Sequence, residues 1–238
     1  MSGSSLPMSE GTSIETPASA GLVSLLTLFS PSFPIGGFAW SHGLESAVRS
    51  GLVTTADETR DWIAFLLTSG SGWNDAVLLT ESYDAALTHD QVRLEAANEL
   101  ALALGFSAER RAETEHFGEA FREAARPWRR EDAVTIAEGP VAYPVAAGAL
   151  SASLGLPRVE VLTAFLHGFS NMLVQSAIRL VPLGQSDAVR ITHSLGPAIS
   201  DTANRASSSS LDDLGSSALV SDIHSMRHET LSPRLFSS

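Results

Sequence analysis

Apolar residues through the middle of the chain recur at helical spacing, and residues that start or stop helices bound each run. Thr55 and Glu58 form a capping box ahead of one run, which ends at Gly70. Asp90 and Gly105 bracket the next run in the same way. No run shows the strict alternation that is typical of a β-strand. The pattern therefore predicts an all-α fold, a single-domain helical bundle.

The longest apolar run begins at a proline in the position that prolines favour in a first turn. It opens at Pro157 and reaches about Val181. The segment from Gln185 to about Arg205 predicts one more helix, bent or broken near Pro197. Residues 139–184 carry few charges and many small side chains, which allow helices to approach closely. We expect this stretch to form the centre of the bundle.

One face of the long helix is polar. Its members recur every four residues, which places them on one side of a helix: His167, Asn171, Gln175 and Arg179. The run 159–183 is long enough to cross a membrane, but a helix facing lipid would not carry this stripe. We therefore predict a buried helix with one polar seam. The seam is either a hydrogen-bonded core network or a polar interface, such as a dimer core or a water-filled passage.

Both ends of the chain differ in composition from the helical part. Residues 1–20 are rich in serine, glycine, threonine and proline and have no basic residue before an apolar run, which predicts a flexible leader and no secretory signal. Residues 21–205 are the predicted helical domain. Ser207–Ser210 is typical of a linker, so residues 206–238 are predicted to be a linker followed by an amphipathic C-terminal tail.

Composition narrows the chemistry that the chain can perform. It has 15 basic and 27 acidic residues for a net charge of -12; all the basic residues are arginines, and there is no cysteine. The missing lysine excludes Schiff-base chemistry and the Walker-A phosphate loop, and the missing cysteine excludes thiolate nucleophiles and cysteine metal sites. The negative charge argues against nucleic acid or an anionic membrane as a partner. We expect a cytoplasmic protein.

No catalytic or metal-binding constellation stands out among the remaining residue types. His224 and His228 are four residues apart, but the HExxH pattern is absent and this spacing alone is weak support for a metal site. Residues 69–72 contain a serine between glycines without the strand–turn–helix setting of a nucleophile elbow. His42 is isolated in sequence and Glu113 is expected to be solvated. We predict no catalytic residue and no metal ligand.

Two segments are unusual for the positions that they occupy. The first is a loop of prolines, glycines and large apolar residues between 30 and 45, which is either a clamp onto the core or a patch that binds a partner. The second is the C-terminus, where apolar residues alternate with arginines in the way that anchors interfaces. We expect this tail to become ordered on a partner, in preference to docking on its own domain.

Both segments also resemble one family. Three motifs, in order along the chain, resemble the signatures of the UreF-type urease accessory proteins: Phe33-Pro34-Ile35-Gly36-Gly37-Phe38 with Gly43-Leu44-Glu45, then Arg179-Leu180-Val181-Pro182-Leu183-Gly184-Gln185-Ser186-Asp187, then Asp222-Ile223 with Ser225-Met226-Arg227-His228-Glu229 and Arg234-Leu235-Phe236. The motifs span about 21–236, so accidental agreement is improbable.

The resemblance implies a function that the residues alone do not. Members of that family are all-α, form dimers and are not known as enzymes. They join a second accessory protein of the UreD/UreH type and the GTPase UreG, and the assembly delivers nickel to apo-urease in a GTP-dependent step. The resemblance therefore implies a homodimer that needs no cofactor of its own, since the assembly handles the nickel.

The resemblance also implies which residues bind partners. The family's C-terminal segment is associated with the UreD/UreH partner, and together with the first motif it implies this set: Met226, Arg227, His228, Glu229, Arg234, Leu235, Phe236, Phe33, Pro34, Gly36, Gly37 and Phe38. Two alternatives remain. An all-α hydrolase or small-molecule-binding enzyme would need a concave pocket with converging titratable groups. A standalone metal chaperone would bind nickel tightly by itself.

Overall fold

The computed structural model describes residues 18–136 and 138–237, and within them the fold is all-α, with no strand. The helices are α1 (Ala18–Leu28), α2 (Leu44–Arg49), α3 (Ala56–Ser69), α4 (Ser71–Leu87), α5 (Gln91–Ala103), α6 (Ala108–Ala124), α7 (Tyr143–Ser153), α8 (Arg158–Leu180), α9 (Gln185–Ser194), α10 (Gly196–Ala206) and α11 (Leu219–His228). Most of the predicted leader, residues 1–17, lies outside the described residues. Residues 18–20 already belong to α1.

Helices begin where capping residues predict them to begin. Thr55 Oγ1 accepts a hydrogen bond from the backbone N–H of Glu58 at 3.2 Å, and the Glu58 carboxylate accepts one from the N–H of Thr55 at 3.1 Å, which completes the capping box. Asp90 and Ser107 each accept from the N–H of the third residue of their helices. Each cap contributes about 1 kcal/mol, because it satisfies a backbone donor that the helix itself cannot. These boundaries depend on neighbours in sequence, so local pattern suffices to predict them.

Small residues bring α7 against α4 and α6, as the composition of 139–184 predicts. Gly148 packs on the backbone of α4, where a Cβ atom would lie 2.4 Å from the carbonyl oxygen of Leu79. Gly118 of α6 packs equally closely on the carbonyl of Val141, just before α7. Neither position has room for a larger side chain, so glycine permits the backbones to touch.

Helix α8 runs through the middle of the bundle and contacts α1, α2, α3, α4, α7, α9 and α10. Its buried face carries Val161, Leu162, Phe165, Leu166 and Leu173. By length and composition alone it is the one described helix that could cross a membrane. More than half of its most apolar window, 56%, is buried within the fold.

The predicted burial of the polar seam is wrong. His167, Gln175 and Arg179 are exposed, and Asn171 is only partly buried. The apolar face of α8 takes the core, which leaves the seam on the outside of the protomer. It is therefore not a hydrogen-bonded core network, and its role as an interface or passage stays a prediction.

The last long helical segment is broken, as predicted, although the break comes before the proline. Helix α9 ends at Ser194 and α10 begins at Gly196, with Leu195 between them as the cap of both. Pro197 lies in the first turn of α10, where its missing N–H costs no helical hydrogen bond.

Candidate functional site

Three segments that are far apart in sequence meet at one place on the surface. The loop after α1, the C-terminal end of α8 and the chain after α11 come together here. Arg179 donates from its guanidinium to the carbonyl oxygen of Phe38 at 2.6 Å and lies over the ring of Phe236, 4.2 Å from its centroid. The backbone N–H of Ser237 donates to the carbonyl of Ala39 at 2.7 Å. The tertiary structure thus unites the three family-like motifs in one site.

A buried carboxylate of α2, Glu45, holds the tail in place. Its two oxygens accept the backbone N–H groups of Leu235 and Phe236, each at 2.9 Å, and the side chains of Arg49 at 2.7 Å and His228 at 3.1 Å. Burial opposes ionisation of Glu45, but these hydrogen bonds and the charge of Arg49 outweigh it and lower its pKa. Glu45 is therefore a fixed negative charge around which the tail folds.

His228 lies between two carboxylates and is completely buried, with 0% of its surface exposed. Its Nε2 is 3.1 Å from Glu45 and its Nδ1 is 2.8 Å from Glu109 of α6. Arg234 adds a bond of 2.6 Å to the other oxygen of Glu109. Both ring nitrogens of His228 therefore have a carboxylate oxygen as their partner. We call this cluster the tail junction. It consists of Glu45, Glu109, Arg179, His228, Arg234 and Phe236.

The tail is docked on its own domain. The sequence had favoured the alternative, in which the tail becomes ordered only on a partner. Helix α11 packs against α2 and α6, and His228 and Phe236 are buried, so neither can touch a partner while the tail is docked. The other predicted tail residues are exposed: Met226, Arg227, Glu229, Arg234 and Leu235. Sequence reasoning missed the docking because its anchors, Glu45 and Glu109, lie more than a hundred residues away.

The predicted loop patch divides into a buried part and an exposed part. Phe33 is buried and packs against the rings of Phe121 at 5.5 Å and Trp128 at 6.3 Å. Gly36 adopts a left-handed φ of 80°, which turns the chain outward. Phe38 then stands 76% exposed. Phe33 confirms the clamp onto the core, whereas partner binding by the exposed part of the loop stays a prediction. Pro34 is exposed and Gly37 is partly buried.

A second buried network, which sequence reasoning missed, lies around His42. His42 Nδ1 is 3.0 Å from Glu113 Oε1, and its Nε2 is 2.8 Å from the hydroxyl of Ser71 at the start of α4. Arg110 bonds the other oxygen of Glu113 at 2.7 Å. The expectation that Glu113 is solvated is wrong, since its exposure is 0%. Burial opposes its ionisation, but His42 and Arg110 outweigh burial and lower its pKa to about 2.

A cavity of about 130 Å³ adjoins this network. Its walls are mainly aromatic and apolar, and its polar lining includes His42, Asp75, Arg110 and Glu113. Burial raises the pKa of Asp75, despite Arg110 at 3.7 Å. A concave apolar pocket with converging titratable groups is the feature that an enzyme would need.

The histidines of α11 do not converge on a common point. His224 Nδ1 is 3.0 Å from the hydroxyl of Ser46, and its ring packs edge-on against Trp62. Burial and the charge of Arg227 lower the pKa of His224. Across residues 18–136 and 138–237, no three histidine, aspartate or glutamate side chains form a group that could hold a metal ion.

A sequence model of the UreF family matches residues 53–196, which is more than half of the chain. The chain belongs to the UreF family. It is 44% identical over 223 residues to a urease accessory protein UreF of Rhodopseudomonas palustris, covering 92% of this chain and 94% of that protein. It is 46% identical to UreF of Mesorhizobium japonicum, covering 94% and 99%, and 44% identical to UreF 1 of Brucella canis, covering 95% and 98%.

The extent of these similarities confirms the family resemblance of the three motifs. The family model covers α3 to the start of α10 and includes the motif at 179–187. The UreF relatives extend over nearly the whole chain, so the similarity also takes in most of the rest of this chain.

Proposed function

We propose that this UreF protein is a nickel-insertion scaffold that works through its surfaces and not by catalysis. It would join a UreD/UreH-type accessory protein and a UreG-type GTPase, so that nickel passes to apo-urease in a GTP-dependent step. The observation that carries the proposal is the tail junction, where all three family-like motifs meet. Nickel is the cargo of the assembly in this proposal, and the chain needs no cofactor.

The tail junction supports a binding role because its buried residues hold the tail in place while neighbouring exposed residues are available to a partner. The buried members, Glu45 and His228, fix the backbone of the tail, while Arg227, Leu235 and Phe38 point into solvent beside it. Exposed arginine and large apolar side chains on a rigid support are the residue types that dominate interfaces. We infer that the UreD/UreH-type partner contacts this surface.

A homodimer is part of the same proposal. Helix α1 packs on α8 and exposes three large apolar residues, Leu22, Val23 and Leu26. Together with the polar seam of α8 they would give a dimer an apolar margin and a polar centre, the latter being a possible passage for nickel. We place the protein in the cytoplasm, where no helix has to enter a lipid bilayer.

The test is co-purification of the chain with the two partners, with and without GTP. Arg227→Ala and Leu235→Asp change exposed tail residues, and we expect each to weaken UreD/UreH binding by tenfold or more while the circular dichroism stays helical. Arg190→Ala, an exposed arginine on α9, is the matched control and should leave binding unchanged. Normal partner binding by both tail variants would contradict the proposal.

A second candidate, a hydrolase, is favoured by one specific observation. The hydroxyl of Ser71, the ring of His42 and the carboxylate of Glu113 are ordered like a nucleophile, its base and the group that orients the base. The same hydrogen bonds also hold the loop against α4 and α6, and this structural role alone would account for them. Hydrolysis of p-nitrophenyl acetate that disappears in Ser71→Ala, with labelling of Ser71 by a fluorophosphonate, would establish the hydrolase.

A further inference from the structure

A second apolar surface lies apart from the polar contacts of the tail junction, between α3 and α11. It is an open groove of about 340 Å³. We call it the α3–α11 groove; its lining includes Glu58, Asp61, Trp62 and Phe65 of α3 and Val220 of α11. Neither the loop motif nor the polar anchors of the tail contribute to this lining.

Large apolar side chains at the groove face solvent. Phe65 is 45% exposed and Val220 is 53% exposed. Along α11, Leu219, Ile223 and Met226 continue the apolar surface at helical spacing, and all three are exposed. Single exposed apolar residues are ordinary, but a contiguous patch on two helices marks a surface that another molecule covers.

The polar groups of the groove restrict what can cover it. Glu58 and Asp61 are its charged lining residues, and no basic residue is among the lining. Asp61 is paired with the neighbouring Arg60 at 2.9 Å, whereas no basic side chain pairs with Glu58 among the described residues. Hydrogen bonds from Thr54 lower the pKa of Glu58, so its carboxylate is ionised at neutral pH. The groove therefore offers apolar area with negative charge at its edge.

We propose that the α3–α11 groove docks an apolar segment of a different polypeptide, flanked by a basic residue that faces Glu58. The inference rests on the proposed function, because α11 forms one wall of the groove and leads directly into the tail junction. The occupant is accordingly a part of the UreD/UreH-type partner that extends the interface around α11.

Charge argues against a second copy of this chain as the occupant. A two-fold symmetric contact places the same patch on both sides, so it would bring the carboxylates Glu58 and Asp61 towards their own copies. The chain as a whole also carries a net charge of -12. Like charges facing one another across an interface oppose association, whereas a basic segment is attracted.

The experiment measures the affinity of the full-length protein for the purified UreD/UreH-type partner. We expect Phe65→Glu and Val220→Glu each to weaken this binding at least tenfold, because each places a charge on the apolar surface that the segment covers. We also expect wild-type affinity to fall as salt rises, and to fall less steeply in Glu58→Gln. Val92→Glu, on the exposed face of α5, is the matched apolar-to-acidic control and should bind normally.

The outcomes separate this inference from the proposed function. If Leu235→Asp abolishes partner binding while Phe65→Glu and Val220→Glu bind normally and stay folded, the groove inference is wrong and the proposed function stands. If the wild-type chain does not bind the UreD/UreH-type partner, the proposed function fails first. Loss of self-association in the groove variants, seen by light scattering, or loss of the GTPase alone, would assign the groove to another occupant and overturn the inference.

Discussion

Two buried histidines organise different parts of this molecule and differ in what faces their rings. His42 lies between one carboxylate, Glu113, and one hydroxyl, that of Ser71. His228 lies between two carboxylates, Glu45 and Glu109. The hydroxyl beside His42 can donate or accept a hydrogen bond, whereas a carboxylate lies against each ring nitrogen of His228.

The two histidines also differ in the parts of the structure that their hydrogen bonds connect. His42 joins a loop to α4 and α6 inside the domain. His228 joins the C-terminal segment to α2 and α6, beside the hydrogen bonds of Leu235 and Phe236 to Glu45 and the contact of Phe236 with Arg179. The lesson is that one polar network lies within the helical domain, whereas the other holds the C-terminal tail, and with it the surface proposed to bind a partner, on that domain. Four substitutions can break or sharpen this contrast.

The largest effect is expected from Glu45→Ala. It removes the acceptor for two backbone N–H groups, His228 and Arg49 at once, and leaves the buried donors of His228 and Phe236 without it. Breaking such a buried network costs about 3–5 kcal/mol, so urea denaturation should show a loss of that size in the free energy of unfolding. Glu119→Gln, an exposed glutamate of α6, is the control and should change stability by less than about 0.5 kcal/mol. Equal stability of the two variants would show that the tail is not anchored there.

The next effect concerns acid stability and the His42 network. Folding lowers the pKa of Glu113 from 4.5 to about 2, so its ionisation stabilises the native state above pH 4.5. That contribution, about 3 kcal/mol, is lost as the pH falls from 4.5 to about 2, because the unfolded state takes up the proton first. Glu113→Gln should therefore unfold with a shallower dependence on pH in this range. A pH series of thermal melts checks it, and an unchanged acid slope would contradict the assigned ionisation.

A smaller and more local effect is expected from His228→Gln. The amide can bond one carboxylate but cannot donate to both in the geometry of the ring, so the tail should open more often. Hydrogen exchange at the backbone N–H groups of Leu235 and Phe236 should accelerate by tenfold or more, since both donate to Glu45. In His42→Gln the same two amides should exchange at the wild-type rate. Acceleration in both variants would mean that the two networks are not independent.

The smallest effect is expected from Arg179→Ala. This exposed arginine lies over the ring of Phe236 and bonds the carbonyl of Phe38. A cation–π contact at an exposed site contributes about 0.5–1 kcal/mol, and denaturation should show a loss of that order. Arg179→Lys keeps the charge but not the planar fork and should recover only part of it. Full recovery by lysine would show that charge alone matters at this position.

Comparison of particular elements shows how far sequence reasoning reached. The helix beginning after Thr55 and the break near Pro197 were predictable, because caps and prolines act on the backbone within a few residues. The motifs at 33–45 and 222–236 were identifiable as functional candidates for the same reason, since each is contiguous. The orientation of α8 was not predictable, because either face of a helix with a polar stripe can be the outer one until its neighbours are placed.

The sequence by itself determined the helical class, most helix boundaries, the absence of thiol and lysine chemistry and the family. Only the tertiary structure decided that Glu113 is buried, that Ser71 reaches His42, and that the tail folds back between Glu45 and Glu109. The physical reason is separation along the chain. Caps, turns and hydrophobic periodicity are set by neighbours within a few residues, whereas the burial and charge of these groups depend on partners between 29 and 191 residues away.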